Sequence, residues 1–337
     1  MVIPRSALDA MAAFSLDESR FGHHGADLHR PECVLTTAAG ELYVSDERGG
    51  VTRISADGST TLYSAATLEC PSLAANGFAL MPDGSFLVAP LCGGGVFRLR
   101  RDGQAEPFLQ EVDGRELRCA NFVLLDPYER IWISCLTQQD RTTLASYPRG
   151  QHDGYIVLVD RHGARIVADD INYPNEVRID AAGRYLYTNE TTAGRLLRYP
   201  IAPDGSLGSP VTITEFDASN MLDGFTLDRE GGAWVTAIIS NRLWHVTPDG
   251  AQHLLIEQSD PEQMERLCAL QRTTGVLRSV IYEEHGSTLR NMSSLAFGGP
   301  DLHTVFVGSL MGDSVLSFHA PVAGVEPAHW RFDAGVR

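Results

Sequence analysis

The sequence predicts an all-β protein, a six-bladed β-propeller whose blades are four-stranded antiparallel sheets. Two short strands joined by a turn recur six times, about 45 residues apart, which is a period typical of propellers. Most units continue into a third and a fourth strand without alternating helices, which favours a propeller over other repeat folds. Asp-Gly pairs suited to tight hairpin turns recur at Asp57, Asp83, Asp102, Asp204 and Asp249.

Each unit opens with a short apolar strand. The second strands, such as LYVSD and RIWIS, are rich in aromatic and β-branched residues, as is typical of sheet interiors. We therefore expect residues 1–337 to form one propeller domain with an N-terminal arm over residues 1–28. The opening stretches PECVL, ANGFAL, ANFVLL, PNEVRID, LDGFTL and MSSLAF start at Pro31, Ala75, Ala120, Pro174, Leu222 and Met292.

Closing such a propeller requires a strand from one end of the chain to complete the last blade. Two segments have a suitable composition, AAFSL at residues 12–16 and HWRFD at residues 329–333. The sequence leaves both alternatives open.

Two segments interrupt the repeat. Residues 136–154 lie inside the third unit, and residues 258–290 separate the fifth unit from the sixth. Within the second of them, PEQMERLCALQ predicts a short helix with Asp260 as its N-cap and Pro261 in its first turn. Because long loops in compact domains often serve as lids, we expect residues 258–290 to cover one end of the propeller.

Composition limits the partners of the protein. The 337 residues carry a formal net charge of −16, and such a surface repels nucleic acid and anionic membranes, so neither is expected as a partner. No apolar run reaches the ~18 residues of a membrane helix, and the N-terminus lacks a signal-peptide pattern.

The six cysteines form no C-x-x-C pair and no zinc spacing, so we expect reduced thiols and a cytoplasmic location. Nothing in the sequence indicates the oligomeric state.

A polar residue recurs where the first strand of each unit begins. In a propeller these strands line the central channel, so residues at this position form a ring. Carboxylate and carboxamide oxygens on one axis suit a calcium, magnesium or manganese ion, and zinc also accepts them. Turn capping would explain a single Asn or Asp, but it does not explain Glu32. The ring residues are Glu32, Asn76, Asn121, Asn175, Asp223 and Ser293.

The motifs NGFALMPDG, LDGFTLDREGGAWV and SLAFGGPDLHTVFVGS, in this order, resemble the regucalcin/gluconolactonase (senescence marker protein-like) family of six-bladed propellers. The resemblance covers roughly residues 30–320 and implies hydrolysis of a lactone, typically a sugar lactone. It also implies one divalent metal ion held by Glu32, Asn175 and Asp223, with calcium the first choice and zinc, manganese or magnesium the alternatives. Asn121 would lie beside the metal and contact the substrate or a water molecule.

The chemistry expected at this ring is hydrolysis by a metal-activated water molecule. Asp223 is the candidate general base, with a role as a metal ligand alone as the alternative. Asn76 and Arg118 are candidate substrate contacts in addition to Asn121. Two other functions remain open: a lyase or isomerase reaction on a small carbonyl compound at the same metal site, and a non-enzymatic binding propeller with a structural ion. No G-x-S-x-G motif is present, which argues against a serine hydrolase of that type.

The sequence departs from the family pattern near the ring. Phe122 follows Asn121 where the family often has Asp, and Arg118 lies three residues before Asn121 where some members have an arginine two before. Together with Cys33 and Cys119, Phe122 predicts surroundings less polar than a sugar requires, which favours a less hydroxylated lactone or an ester.

The N-terminal run HHGADLH contains residue types that bind metals, with three histidines and an aspartate in seven residues. It lies outside the repeat, and His-rich surface arms are common, so a metal role is not expected for it. The run comprises His23, His24, Asp27 and His29.

Overall fold

The computed structural model describes residues 10–11, 13–67, 70, 72–283 and 288–333. Six four-stranded antiparallel sheets follow one another around a central channel, which confirms the predicted six-bladed propeller. The first strand of each unit is the innermost, and the inner strands of neighbouring blades contact each other. Residues at the start of these strands therefore meet at one end of the channel.

The strands of each blade are given from the inside outward. Blade 1 comprises Val34–Thr36, Leu42–Asp46, Gly50–Ile54 and Thr60–Ser64. Blade 2 comprises Ala75–Leu80, Phe86–Pro90, Val96–Leu99 and Ala105–Leu109. Blade 3 comprises Ala120–Leu125, Ile131–Cys135, Gly154–Asp160 and Gly163–Ile171. Blade 4 comprises Pro174–Ile179, Tyr185–Glu190, Arg195–Pro200 and Val211–Glu215. Blade 5 comprises Met221–Leu227, Ala233–Ile238, Arg242–Val246 and Gln252–Glu257. Blade 6 comprises Met292–Gly298, Thr304–Ser309, Val315–His319 and Gly22–His24.

Neither segment proposed from the sequence closes the propeller. The closing strand is Gly22–His24, which pairs antiparallel with Val315–His319. Residues 13–16 instead supply apolar cover, because Phe14 packs against Trp234 and Phe318, whereas residue 12 lies outside the described residues. Residues 329–331 form a turn. The histidine-rich run thus has a structural role at the edge of blade 6.

The two insertions join each other across the end of the channel where the inner strands begin. Strand Ser146–Tyr147 of the first insertion pairs with Val276–Leu277 of the second. We call residues 136–154, 258–283 and 288–290 the roof. Its apolar side chains form one cluster with residues of blades 3, 4 and 5, so the roof is packed onto the propeller and covers this end as expected.

The helix of the second insertion has the boundaries that its capping residues predict. It spans Pro261–Arg272, and the side chain of Asp260 accepts a hydrogen bond of 3.0 Å from the backbone N–H of Gln263. A second helix, Arg278–Ile281, follows it. The remaining short elements are the 3₁₀ helix Glu18–Arg20 and the paired strands Glu111–Val112 and Arg115–Glu116.

The expectation of six reduced cysteines is wrong for one pair. Cys70, in the loop before blade 2, and Cys92, after the second strand of that blade, form a disulfide with Cα atoms 5.8 Å apart. The free thiols are those of Cys33, Cys119, Cys135 and Cys268.

In the described part of the chain, no helix is both long and apolar enough to span a bilayer.

An aspartate and a tryptophan anchor the end of the inner strand in blades 3 and 5. Asp126 Oδ2 accepts a hydrogen bond of 2.9 Å from Trp132 Nε1, and Asp228 Oδ2 accepts one of 3.0 Å from Trp234 Nε1. Both indoles are fully buried. Each pair fixes the turn between the inner strand and the second strand.

We expect Trp234→Phe to lower the free energy of unfolding by about 1.5–3 kcal/mol, because a buried carboxylate loses a donor. Trp244→Phe is the control, since its indole donates to the neutral amide oxygen of Asn220, and a loss of about 0.5–1.5 kcal/mol is expected there. Urea unfolding of both variants measures the difference. Equal losses would contradict this assignment.

Candidate active site

The ring predicted from the sequence assembles beneath the roof. Five ring residues line a cavity of about 50 Å³. The sixth, Ser293, is buried, and its hydroxyl donates to the backbone oxygen of Glu32 at 3.1 Å. The five cavity-lining ring residues, all buried, are Glu32, Asn76, Asn121, Asn175 and Asp223.

A local irregularity of the backbone turns these side chains toward the channel. In blades 2 to 6 the ring residue lies where the inner strand shifts register against the second strand, as in a β-bulge. Bulges redirect side chains and occur frequently beside functional sites. The polar side chain at the start of each inner strand thereby leaves the regular alternation of the sheet.

Three residues that precede the ring have a left-handed backbone. Arg30 (φ 54°), Tyr173 (φ 43°) and Asn291 (φ 64°) each lie two residues before a ring position. Non-glycine residues rarely adopt this conformation, and they concentrate at functional sites. Arg30 and Tyr173 both line the cavity.

The carboxamides form a directional chain of hydrogen bonds. Arg30 Nη2 donates to Asn76 Oδ1 at 3.2 Å, and Asn76 Nδ2 donates to Asn121 Oδ1 at 2.8 Å. Asn121 Nδ2 donates to Asn175 Oδ1 at 2.9 Å, and Asn175 Nδ2 donates to Asp223 Oδ1. The chain leads from a guanidinium to a carboxylate, so the orientation of each amide is fixed by its neighbours.

Glycines allow the inner strands to approach each other closely at the ring. A Cβ atom on Gly224, which follows Asp223, would lie 2.4 Å from the backbone oxygen of Ser293. A Cβ atom on Gly77, which follows Asn76, would lie 2.6 Å from the backbone oxygen of Asn121. Larger residues would separate the strands that carry the ring.

The site holds two buried carboxylates. Glu32 Oε2 forms an ion pair with Arg30 Nη1. Burial raises the pKa of Asp223 well above its ordinary value, and the negative charges of Glu32 and Glu176 raise it further. A second cation close to Asp223 would relieve this repulsion. The arrangement therefore has the charge and the donors to accept a metal ion.

The donor set suits a hard cation. It consists of two carboxylates and amide oxygens, the ligands that calcium and magnesium prefer. Among the described residues, no three His, Cys, Asp or Glu side chains form a metal-binding group of their own. The amide oxygen of Asn175 is therefore needed to complete a set with Glu32 and Asp223, and the amide must turn over to present it, because its N–H group now faces Asp223.

The roof contributes side chains that the sequence analysis did not identify. Arg141 and Tyr147 come from the first insertion, and Arg278 and Tyr282 come from the second; all four line the cavity. Arg141 Nη2 donates to Asn121 Oδ1 at 2.8 Å. The signal in the sequence was the presence of arginines in long insertions next to the ring units.

Arg118 does not line the cavity, contrary to the sequence prediction. Its side chain is more than half exposed and pairs with Glu116 at 3.1 Å. The backbone turns this residue outward before the inner strand begins at Ala120. The arginine that reaches Asn121 is Arg141 instead.

Phe122, Cys33 and Cys119, which the sequence placed near the ring, do not line the site. Phe122 lines a different cavity at the opposite end of the channel, where the Arg178 guanidinium lies 4.5 Å from its ring centroid. Cys33 and Cys119 are buried in the hydrophobic core and do not line the site. The apolar wall of the site comes from Leu136, Met221, Ile238, Ile281 and Leu310.

The cavity at the opposite end is larger, about 220 Å³. Inner-strand residues and residues 325–329 line it, and most of the side chains are apolar. It contains no ring residue, so it lacks the carboxylates and amides described above. The smaller cavity beneath the roof is therefore the candidate active site.

Comparisons with known proteins agree with this geometry. Residues 30–262 match the family model described as SMP-30/Gluconolactonase/LRE-like region. The chain belongs to this family. The resemblance inferred from the motifs is thereby confirmed.

A curated relative and two solved structures illustrate the family. The chain is 26% identical over 275 residues to a 6-deoxy-6-sulfogluconolactonase of Pseudomonas putida, which covers 80% of this chain and 76% of the relative. A gluconolactonase of Xanthomonas campestris has a TM-score of 0.62 at 16% identity, covering 87% of each chain. A calcium-binding regucalcin of Agrobacterium tumefaciens has a TM-score of 0.62 at 17% identity, covering 89% of this chain and 96% of the other. These two structural likenesses show the shared fold.

We expect Gly224→Ala to lower the free energy of unfolding by about 1–3 kcal/mol, because its Cβ overlaps the backbone of blade 6. Gly150→Ala is the matched control, since a Cβ there has open space around it and should change stability by less than about 0.5 kcal/mol. Chemical denaturation of both variants provides the test. A Gly224→Ala protein as stable as the control would show that the strands can separate without cost.

Proposed function

We propose that this protein is a divalent-metal-dependent hydrolase that opens the ring of a small, sugar-type lactone in the cavity beneath the roof. The observation that carries the proposal is the pair of buried carboxylates, Glu32 and Asp223, joined through a chain of amides at the end of the channel. Family membership supports the reaction class, and the relative from Pseudomonas putida is named as a lactonase.

Glu32, Asn175 and Asp223 are the residues that would hold the metal, with calcium the first candidate because all donors are oxygens. A bound divalent ion would polarise the lactone carbonyl and lower the pKa of a water molecule. Zinc, manganese and magnesium remain alternatives for an oxygen donor set. The ion pair of Glu32 with Arg30 leaves one carboxylate oxygen of Glu32 outside that pair.

Asp223 would act as the general base. It lines the cavity, and its carboxylate is held by the hydrogen bond from Asn175. In the reaction, the water oxygen bonds to the acyl carbon while Asp223 takes a water proton. The acyl carbon–ring oxygen bond then breaks, and the proton passes from Asp223 to the ring oxygen. The product is the open hydroxy acid.

The other ring residues position the reacting groups. Asn175 donates to Asp223 and so fixes the orientation of its carboxylate. Asn121 and Asn76 would line the substrate, as the sequence analysis expected, but the N–H groups of Asn121 are already bonded to Asn175. A donor for the developing oxyanion therefore comes more readily from Arg30 than from Asn121, because Arg30 is cationic and also lines the cavity. The roof excludes bulk water from this reaction.

We expect Asp223→Asn to reduce kcat/KM for lactone opening by about 10²–10⁴-fold, because the general base is lost. Chelation should reduce kcat/KM over the same range, because the divalent ion is removed. A pH-indicator assay over a panel of sugar and aliphatic lactones, with calcium, manganese or zinc restored, measures this. Asp249→Asn, at an exposed hairpin turn, is the control and should retain full activity.

The outcomes of this assay separate the remaining functions. Tight metal binding with no lactone opened would contradict the hydrolase and favour a lyase or isomerase reaction at the same site. A bound ion with no turnover of any small carbonyl compound would favour a binding propeller.

We expect calcium affinity to fall as the pH is lowered, because Asp223 must lose its proton before it can bind a cation and its pKa is raised. Below that raised pKa, the association constant should fall about tenfold per pH unit. Isothermal titration calorimetry in buffers of different ionisation enthalpy measures both the affinity and the released proton. Asp223→Asn should bind calcium more weakly and without this pH dependence; an unchanged dependence would exclude Asp223 as a ligand.

A further inference from the structure

We propose that Arg141 and Arg278 of the roof form an anion-binding subsite, so that the preferred substrate carries a negatively charged oxyanion group, such as a carboxylate, sulfonate or phosphate, away from its lactone carbonyl. The inference rests on the proposed function for the lactone part of the substrate. The negatively charged group of the substrate is inferred from the residues of the roof alone.

Arg141 is a buried cation without a counterion. Its side chain is only 4% exposed, and its Nη2 donates to two neutral oxygens, Asn121 Oδ1 at 2.8 Å and the backbone oxygen of Ala120 at 2.9 Å. Its Nε has no hydrogen-bond partner, and no carboxylate of the described residues pairs with it. A buried charge is normally paired, since burying it alone is costly.

Two other arginines along the channel show the usual arrangement. Arg30 pairs with Glu32, and Arg178 pairs with Glu176. In both pairs, the carboxylate partner lies two residues away from the arginine in the sequence. Arg141 lacks such a partner although it is as enclosed as Arg30. Its missing partner is therefore best sought in the ligand.

Arg278 adds a second guanidinium to the same cavity. Its Nη1 donates to the backbone oxygen of Arg141, and it too has no carboxylate partner within the described residues. Two guanidinium groups in one cavity repel each other unless an anion lies between them. Their planar donors suit oxyanions, which they bind through paired hydrogen bonds.

Tyr173 provides a neutral donor beside these cations. The side chain is fully buried and lines the cavity, and its hydroxyl has no hydrogen-bond partner among the described residues. A phenol hydroxyl donates one hydrogen bond. A donor enclosed in this way would be satisfied by an oxygen of the bound ligand.

The positive character of this cavity contrasts with the protein as a whole. The chain carries a formal net charge of −16, yet among the described residues three arginines and only two carboxylates line the cavity. The described acidic residues of the roof do not line the cavity, although the charge of Asp153 acts on Tyr173. Asp140 accepts from Thr142, Asp153 accepts from Thr137, and Glu283 pairs with Arg266.

The arginines of the roof and the proposed metal ligands come from different parts of the chain. Arg141 contacts Asn121 in blade 3, whereas the proposed metal ligands come from blades 1, 4 and 5. A small sugar lactone with its carbonyl near Asp223 would extend its far end toward the roof. The charged group would therefore lie at the end of the substrate opposite the carbonyl.

The test measures binding with compounds that lack a lactone, so it does not depend on turnover. A cyclic 1,5-anhydrohexitol and its 6-phosphate, 6-sulfonate and 6-carboxylate counterparts are titrated into the protein by calorimetry. We expect at least one charged compound to bind at least 10-fold more tightly than the neutral one. Arg278→Gln should remove most of this advantage, and Arg141→Gln should do so as well.

Arg118→Gln is the matched control, because this arginine is exposed and paired with Glu116 outside the cavity. It should keep the full advantage of the charged compounds. Equal binding of neutral and charged compounds, no binding of any charged compound, or an advantage that survives Arg278→Gln would overturn the proposal. Arg278 extends from the roof and is only half-buried, so its variant remains informative if Arg141→Gln fails to fold.

Hydrolysis of the corresponding lactones then distinguishes the two proposals. If charged compounds bind and their lactones are opened preferentially, both proposals stand. If charged compounds bind through Arg278 but no lactone is opened, the subsite stands and the proposed hydrolase function fails.

Discussion

The arrangement of the site depends on compensating negative charge at the end of a closed channel. Glu32 and Asp223 are buried there, and two ionised carboxylates in one enclosed space destabilise each other. Arg30 compensates Glu32 directly, and the three asparagines carry its influence around the ring by hydrogen bonds. Asp223, at the far end of this chain, has an amide donor but forms no ion pair among the described residues, and its pKa stays raised although the charge of Arg30 lowers it. This uncompensated negative charge is the physical reason for expecting a metal ion there.

The propeller positions the ring residues, and the roof adds the side chains that we propose select the substrate. Bulges at the start of the inner strands bring equivalent side chains to one axis, and Gly77 and Gly224 let the strands lie close enough for amide contacts. The insertions are packed onto that end through their own apolar cluster. They contribute cations from two distant parts of the chain. Variation in such insertions would change which substrates are bound without disturbing the ring.

Much of this could be predicted from the sequence because it depends on repetition. The period fixed the blade count, and the common phase identified the ring, since equivalent positions in a propeller share a location. The closing strand was missed because Gly22–His24 is three residues long and lacks a strand pattern. Phe122 was assigned to the site although adjacent strand residues face different ways. Arg118 and Arg141 could not be distinguished, because the path of an insertion depends on tertiary packing.

A crystal structure of the protein grown with calcium would show directly whether the ring binds a cation. We predict one calcium ion at the channel end, coordinated at about 2.3–2.6 Å by oxygens of Glu32, Asn175 and Asp223. Arg30 would remain beside Glu32 without entering the coordination sphere. A structure in which Glu32 and Arg30 close the ring together, with no cation near Asp223 at saturating calcium, would contradict it.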